Sequence, residues 1–388
     1  MAYSRRPPRH VAVLIETSRG YGRGLLEGVT RYCREVGNWL IDFEPRGIEG
    51  PPKWLADWKG DGILSRLPDR TMADSLKRLK VPIVHLHHTS AGSWPMVGAD
   101  NQSVAELAFR HLKEKGIRHF AYCGLPPGYS QHQDDRGEQF RQRAEASGYE
   151  CSIFAVHRRT GLEMSDWTGE QKDIIRWLKL LPKPVGIFAC FDERAFQVLE
   201  ACRQAQLRVP EEIAVIGAGN DVLLCNMSTP PMTSIDLNAT RIGYEAASLL
   251  DRIMEGKKKS NQQRWVPALR VVARGSTDML AVEDPDVVAA LQFMKKHATR
   301  GLQIRDLLKH VHLSQAVLER KFKANLGRTP KAEMMRLQIQ QAGELLMEST
   351  LPVKTIARNC GFNSERYFSD AFRRATGMRP AAFRKQRH

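Results

Sequence analysis

Two short stretches near the carboxyl end decide the fold of that region: HLSQAVLERKFK at residues 312–323 and GFNSERYFSDAFR at residues 361–373. In each stretch a serine, Ser314 or Ser364, stands just before a run whose apolar residues recur four positions apart. A serine hydroxyl at that place accepts a hydrogen bond from an unpaired amide of the first helical turn. Each stretch therefore predicts a short helix with one buried apolar stripe.

The polar residues of the two predicted helices fall on the face opposite the stripe, where they are free to contact another molecule. Arginine can pair a guanine through two hydrogen bonds, so Arg320 and Arg366 are candidates for reading base edges. Other basic residues are candidates for holding phosphates. The complete candidate set is Ala316, Glu319, Arg320, Lys323, Arg366, Ser369, Asp370, Arg373, Arg374 and Arg384.

Each of these helices is preceded by another short amphipathic segment, Gln303–His310 in the first case and Val353–Asn359 in the second. Gly361 lies where the second turn needs a residue that tolerates positive φ. A helix, a tight turn and an exposed second helix form the helix-turn-helix plan for major-groove insertion. The plan occurs twice, joined by a long predicted helix at about Lys331–Met347. The alternative is a helical bundle without a nucleic-acid role.

The basic charge of the chain is concentrated at its carboxyl end. Residues 285–388 hold 20 Lys and Arg against 8 Asp and Glu, whereas the remainder holds 39 against 35. Such asymmetry indicates a polyanionic partner for the carboxyl-terminal part. A bundle without a nucleic-acid role has no need for this excess.

The carboxyl-terminal region resembles the DNA-binding domain of the AraC/XylS family of transcription regulators. The matching text includes LERKFK at residues 318–323, IARNCGF at 356–362 and GMRPAAFR at 377–384. The resemblance covers about Val287–Arg387. It implies that the two exposed helices enter successive major grooves of double-stranded operator DNA, and that the output is activation through contact with RNA polymerase.

From Val11 onward the chain alternates apolar runs with amphipathic segments over some 270 residues. Runs such as Val11–Ile15, Val185–Ala189 and Ile213–Ile216 are typical of buried parallel strands. The alternation predicts an α/β fold with parallel sheets. Because one sheet of that length would be too large, we expect two lobes of about 130 residues each.

The loops that follow parallel strands meet a ligand at the carboxyl edge of the sheet. Here these loops are rich in planar and charged hydrogen-bonding groups, which suit a polyhydroxylated ligand. The candidate ligand-binding residues are Glu16, Arg19, Tyr21, Asp135, Arg136, Asp192, Asn220 and Asp221.

The same region resembles the LacI/GalR regulators and the periplasmic sugar-binding fold over about Arg9–Thr277. The matching text includes GIFACFD at residues 186–192, VPEEIAVIG at 209–217 and RGST at 274–277. One position departs from the pattern, because Gly219 stands where those proteins usually carry an aspartate that often binds sugar. Because the first predicted strand begins at Val11, we expect no amino-terminal helix-turn-helix of the kind found in that family. A sensor domain of this type followed by an AraC-type DNA-binding domain resembles the architecture of the xylose operon regulators.

These observations predict an α/β two-lobed periplasmic-binding-protein-like sensor, followed by an all-α domain with two helix-turn-helix motifs. We expect the sensor at residues 9–278, a linker at 279–286 and the DNA-binding domain at 287–388. The preferred function is a sugar-responsive transcription regulator that acts as a homodimer, with a small sugar, D-xylose among the candidates, as effector. The alternative is a carbohydrate-binding receptor without a DNA-binding role.

Other function classes find little support in the sequence. We expect no enzyme, since no nucleophile–base pair or catalytic carboxylate pair is evident, and no cofactor or metal. His85, His87 and His88 lack the spaced Cys or carboxylate of a metal set. The seven cysteines contain no Cys-x-x-Cys pair, which fits reduced thiols. No apolar run is long enough for a membrane span or a signal peptide, so we expect a cytoplasmic protein.

Overall fold

The computed structural model describes residues 7–45, 52–66, 76–86, 94–154, 167–256, 263–278, 284–297, 302 and 304–384. It divides into two compact units, Met1–Met279 and Leu280–His388. The first unit holds two β-sheets with helices, and the second is helical. The two predicted fold classes are therefore confirmed.

The first sheet of the amino-terminal unit has the strand order β11-β5-β4-β3-β1-β2, and every neighbouring pair is parallel. Its central strands are buried on both faces, as the apolar runs predict. The strands are β1 Arg9–Leu14, β2 Trp39–Phe43, β3 Gly62–Ser65, β4 Ile83–His85, β5 Met96–Ala99 and β11 Gln263–Val266.

The second sheet has the order β12-β10-β9-β8-β6-β7, and only β12 runs antiparallel to its neighbour. Its apolar core lies between the sheet and two helices and includes Ile187, Val198 and Val215. The strands are β6 His119–Cys123, β7 Cys151–Ile153, β8 Val185–Ala189, β9 Ile213–Ala218, β10 Thr233–Asp236 and β12 Arg270–Val272.

In the described part of the amino-terminal unit, seven α-helices accompany these sheets. They are α1 Gly20–Glu35, α2 Asn101–Glu114, α3 Gln131–Glu145, α4 Trp167–Leu180, α5 Asp192–Gln204, α6 Val222–Met227 and α7 Ala239–Met254. The chain changes lobe between β5 and α2, between β10 and α7, and between β11 and β12. Asp100 caps α2 at the first of these crossings, where its carboxylate accepts from the amides of Gln102 and Ser103.

One predicted boundary differs from the structure, and one predicted helix is largely untested. The sequence places a loop at Leu125–Arg136, yet α3 begins at Gln131, so Asp135 and Arg136 project from its first turns. This polar segment lacks an apolar stripe until Phe140, which is why periodicity starts the helix too late. The helix predicted at Met72–Leu79 lies mainly outside the described residues.

Helices α1 and α7 pack closely because two glycines remove the side chains between them. A Cβ at Gly28 would lie 1.9 Å from the carbonyl oxygen of Thr240 and 2.7 Å from the amide nitrogen of Tyr244. A Cβ at Gly243 would lie 2.0 Å from the carbonyl oxygen of Leu25. Direct backbone contact of this kind leaves no room for even a methyl group.

The carboxyl-terminal unit is built from seven helices in the described part of the chain. They are α8 Pro285–His297, α9 Ile304–Val311, α10 Gln315–Leu326, α11 Pro330–Glu348, α12 Val353–Asn359, α13 Glu365–Thr376 and α14 Pro380–Arg384. One core lies under α8, α9 and α10, and a second lies under α12, α13 and α14. Helix α11 contributes to both, with Leu337 in the first and Ile339, Ala342 and Leu346 in the second.

The two predicted helix starts are confirmed by their caps. The hydroxyl of Ser314 accepts from the amide of Val317 at 3.4 Å, and that of Ser364 accepts from the amide of Tyr367 at 3.3 Å. The second turn contains Gly361 at φ 82°, as predicted. Within α11 the buried carboxylate of Glu333 pairs with Arg336 at 2.7 Å, which satisfies a charge that burial would otherwise penalise.

The contact between α1 and α7 yields a stability prediction. We expect Gly28→Ala to lower the free energy of unfolding by about 1–3 kcal/mol, because the helices must separate to admit the methyl group. Urea unfolding followed by circular dichroism measures the loss. Gly98→Ala is the matched control, since its Cβ would meet the Trp265 ring at an ordinary 3.4 Å. Equal losses in both variants would contradict the account.

Candidate ligand cleft and nucleic-acid interface

Within the amino-terminal unit, residues that follow strands of the first sheet contact residues that follow strands of the second sheet, and the region between these strand ends is called the cleft. Ion pairs and a backbone amide contact join the lobes there. The Nε of Arg19 lies 2.7 Å from a carboxylate oxygen of Glu193, and the amide of Gly20 donates to Asp221 at 2.6 Å. The predicted ligand-binding residues gather at this edge, as the topology of a parallel sheet requires.

On the first lobe, Glu16, Arg66 and Tyr21 form one cluster. The carboxylate of Glu16 is buried and pairs with the guanidinium of Arg66. That guanidinium also lies over the Tyr21 ring, 5.0 Å from its centroid. Burial raises the pKa of Tyr21, and the nearby Arg66 and Arg136 partly oppose this. The phenol is therefore neutral at physiological pH, with a ring face and a hydroxyl to offer.

On the second lobe, Arg136 is the centre of a buried hydrogen-bond network. Its guanidinium donates to the side-chain oxygen of Asn101 at 2.9 Å and to the carbonyl of Cys190 at 2.6 Å, and it lies 3.1 Å from the ring of His132. Asn101 in turn donates to Asp135 at 2.8 Å. Burial lowers the pKa of Arg136 from its ordinary value. The network holds the start of α2, at a lobe crossing, against α3 and the end of β8.

Asp192 is buried at the start of α5 and packs against the end of β9. Its carboxylate accepts from the hydroxyl of Ser234 at 2.5 Å and from the amide of Asp221 at 2.7 Å. A Cβ at Gly217 would lie 2.5 Å from one of its oxygens, and a Cβ at Gly219 would lie 2.9 Å from the other. Gly219 also adopts φ 135°, a conformation that favours glycine. Gly219 is the position that departs from the family pattern, and its backbone is thus in close contact with the Asp192 carboxylate.

The remaining predicted ligand residues also have protein partners. The carboxylate of Asp221 accepts from the amide of Gly20 and lies 3.2 Å from the guanidinium of Arg23, so it spans the lobes. The side-chain oxygen of Asn220 accepts from Arg274 at 2.9 Å. These contacts leave fewer free groups for a ligand than the sequence suggests.

Several polar residues at the cleft were missed by the sequence reasoning. Arg66 follows β3. The rule that loops after parallel strands meet a ligand could therefore have identified it. Asn101, His132, Glu193 and Arg274 have no comparable signal, because their roles depend on contacts between distant parts of the chain.

Acidic and basic side chains at the cleft are nearly balanced. Three ion pairs account for most of them, Arg19 with Glu193, Arg23 with Asp221 and Arg66 with Glu16. No surplus of cations is evident among the described residues of the cleft to attract a phosphate or a carboxylate. The chemistry therefore favours an uncharged ligand that exchanges many hydrogen bonds.

In the carboxyl-terminal unit, α10 and α13 each bury one face and expose the other. Leu318, Phe322, Phe368 and Phe372 are fully buried, which confirms the predicted stripes. The candidate contact residues lie on the outer faces. Seven of them are exposed, namely Ala316, Arg320, Lys323, Arg366, Asp370, Arg373 and Arg374. The other three are partly exposed, namely Glu319, Ser369 and Arg384.

Besides Arg336, further basic residues of this region bond to other groups of the protein. The guanidinium of Arg384 donates to the carbonyl of Leu351. The ammonium group of Lys321 lies 2.6 Å from Asp284 and 2.9 Å from Asp286. Lys321 thus ties α10 to the segment that begins α8, within the predicted linker.

The structure also bears on the remaining sequence features. The described residues contain no group of three or more His, Cys, Asp or Glu that could hold a metal ion. His87 and His88 lie outside the described residues. All seven cysteines are free thiols. Among the helices that the structure describes, none is long and apolar enough to cross a membrane.

The burial of Asp192 yields a pH prediction. Desolvation raises its pKa to about 7, above the ordinary value of 3.8. A carboxyl group whose pKa is raised by folding stabilises the protein while protonated, and this contribution is lost as pH rises toward 7. From pH 5 to pH 8, we expect the wild type to lose about 2–3 kcal/mol of unfolding free energy relative to Asp192→Asn. Urea unfolding at both pH values measures this, and parallel pH profiles would contradict it.

Two family models match the chain. A periplasmic binding protein-like domain matches residues 109–277, and a helix-turn-helix domain matches residues 307–386. The chain is 32% identical to the xylose operon regulatory protein of Escherichia coli K12 over 386 residues, which is 97% of each chain. It is 29% identical over 381 residues to the xylose operon regulatory protein of Haemophilus influenzae, covering 96% of this chain and 97% of the other.

A solved structure is also similar to this chain. The xylose-binding transcription activator XylR matches with a TM-score of 0.65 at 31% identity, and the match covers 99% of both chains. The relatives are similar over nearly their full length, through the two-lobed sensor and the helical domain alike. The chain therefore belongs to the family of the xylose operon regulatory proteins.

Proposed function

We propose that this chain is a sugar-responsive activator of transcription that binds operator DNA through two helix-turn-helix motifs. The observation that carries the proposal is the presence, in one chain, of a charge-balanced polar cleft and two outward-facing basic helices. The relatives named for the xylose operon make D-xylose the first candidate effector. A regulator that must reach chromosomal DNA acts in the cytoplasm, and the proposal includes no enzymatic step.

The cleft is suited to a small neutral sugar. Tyr21 offers a ring face and a hydroxyl, and Glu16, Arg19, Asp135 and Arg136 present donors and acceptors at the same edge. Asp192, Asn220 and Asp221 complete the proposed set. Because their oxygens are already held by protein groups, we assign these three a share in shaping the cleft as well as in contacting the ligand.

Effector binding would act by stabilising the closed arrangement of the lobes. A ligand shifts such an equilibrium only by its ratio of affinities for the two arrangements, typically about 1–3 kcal/mol. In a homodimer, this shift would change the spacing of the two basic domains on DNA. Activation would follow from contact with RNA polymerase at the promoter.

On DNA, Arg320 and Arg366 would read base edges, while Lys323, Arg373 and Arg374 would hold phosphates. All five are exposed on α10 and α13, which leaves them accessible to DNA. Ala316, Glu319, Ser369 and Asp370 would border the bases. Arg384 would reach a phosphate only with the nitrogens not used by the Leu351 carbonyl.

The DNA proposal is tested by Arg366→Ala. We expect a loss of about 1–3 kcal/mol in binding to the operator of the chain's own promoter and little change on random DNA, because a base contact is lost. Titration by fluorescence anisotropy at fixed salt measures both. The matched control is Arg305→Ala, which removes an exposed arginine from α9. Equal losses on operator and random DNA would remove Arg366 from the set of reading residues.

The effector proposal is tested by thermal unfolding of the full chain with a panel of pentoses and hexoses. D-xylose should raise the melting temperature, since a ligand specific to the folded form stabilises it by mass action. Tyr21→Ala should abolish the increase. Tyr244→Ala, which removes a tyrosine from the α1–α7 contact, should keep it. If no sugar raises the melting temperature of the wild type, the effector assignment is wrong.

A further inference from the structure

A groove of about 470 Å³, here called the α11–α13 groove, lies in the carboxyl-terminal unit between the first turns of α11 and one side of α13. Half of the residues that line it are apolar, Ala332 and Met335 on α11 and Ala371 and Ala375 on α13. The groove is open to solvent, and none of its eight described lining residues is acidic. An open channel suits an extended polymer better than a small molecule, which proteins usually enclose.

Two cations that line the groove have no partner in the described part of the chain. Lys331 and Arg374 are exposed, and neither makes an ion pair or a hydrogen bond with another described residue. The neighbouring Arg328 and Arg336 differ, since they lie 2.5 Å and 2.7 Å from the carboxylate of Glu333. Glu333 is therefore occupied by these two, and the charges of Lys331 and Arg374 stay available to an anion.

Two further features of the groove suit a phosphate. Tyr367 is 49% exposed, and its phenol has a hydrogen-bond donor to offer. Thr329 caps α11 by accepting from the amide of Ala332 at 3.2 Å, which places the positive end of this 19-residue helix at the groove. Phosphates are stabilised at such helix ends. The lining thus combines groups for a phosphate with an apolar surface for whatever carries it.

We propose that the α11–α13 groove holds the sugar–phosphate backbone of the operator, with Lys331, Tyr367 and Arg374 at a phosphate and the apolar residues against deoxyribose. The inference rests on the proposed function and adds Lys331 and Tyr367 to its contact set. The start of α11 belongs to neither reading helix. Backbone contacts of this kind fix the register of a protein on the duplex and carry no sequence information.

Continuity with the proposed reading surface favours DNA as the occupant. On the exposed side of α13, Arg366 and Arg373 are each followed by a residue that lines the groove, Tyr367 and Arg374. Successive residues of a helix are about 100° apart, so the groove adjoins the side with the proposed base contact. A helix in a major groove has one backbone strand on each side of it. One of these strands therefore passes where the groove lies.

The test is Lys331→Ala in the full chain, titrated by fluorescence anisotropy against operator and random DNA over a series of salt concentrations. Each lost phosphate contact lowers the slope of log affinity against log salt by about 1. We expect this change for each bound chain, with about a fivefold loss at about 0.15 M salt, equally on both DNAs. The matched control is Lys296→Ala, which removes an exposed lysine from α8, outside both motifs, and should keep the wild-type slope.

A second variant fills the groove and keeps every charge. Ala332→Leu adds a bulky side chain to the lining, and leucine preserves both the helix and the amide that Thr329 caps. We expect binding to both DNAs to weaken by about fivefold or more. Gln341→Leu is the control, because residue 341 is exposed about two and a half turns further along α11, on the opposite side. Thermal unfolding without DNA verifies that all four variants are folded.

The outcomes separate this inference from the proposed function. If the wild type binds DNA and both Lys331→Ala and Ala332→Leu keep its affinity and slope, the groove contact is overturned while the proposed function stands. A loss confined to the operator makes Lys331 a base-reading residue and also overturns the backbone contact. Unchanged DNA binding with reduced transcription from the operator assigns the groove to a protein partner instead. A wild type that binds no DNA even at low salt overturns the proposed function and this inference together.

Discussion

The contact between the Asp221 carboxylate and the amide of Gly20 joins the two lobes at the point where their strands end. Gly20 is the first residue of α1, and the positive end of a helix dipole favours a carboxylate there. A side chain at Gly20 would clash with Asp221, since its Cβ would lie 2.8 Å from that carboxylate. The amide of Asp221 donates in turn to Asp192, so the contact continues into the second lobe. The ion pairs of Arg19 with Glu193 and of Arg23 with Asp221 cross between the lobes at the same place.

Much of the fold could be predicted because its signals are local. Parallel strands buried on both faces appear as apolar runs, and Val11–Ile15 and Val185–Ala189 fall on β1 and β8. Serine caps act within three residues, so Ser314 and Ser364 could be assigned from the sequence alone. The resemblance to both regulator families is confirmed by the two matching domain models and by the full-length relatives.

The candidate site was predictable in position but not in detail. The edge of a parallel sheet follows from topology, and all eight predicted residues lie at or near it. What each side chain bonds to depends on pairs such as Asn101 with Arg136 or Asn220 with Arg274, which are 35 and 54 residues apart. The spacing of apolar residues along the sequence carries no information about such pairs. For the same reason the exposure of Leu40 and Ile41 on the edge strand β2 was invisible, because an apolar run does not show whether a strand lies at the centre or the edge of a sheet.

The shared position of α11 in two hydrophobic cores constrains the kind of operator that the proposed function requires. Leu337 packs into one core and Ile339 into the other, on a single continuous helix, so no flexible hinge separates the two pairs of helices. One inserted base pair between the two recognised sequences would rotate the second major groove by about 35° around the duplex axis. Two motifs joined by one rigid helix cannot follow that rotation. The duplex itself must therefore twist or bend to bring the second major groove back to the second motif. Selection should therefore hold the spacer length constant while allowing its sequence to vary toward the more deformable steps.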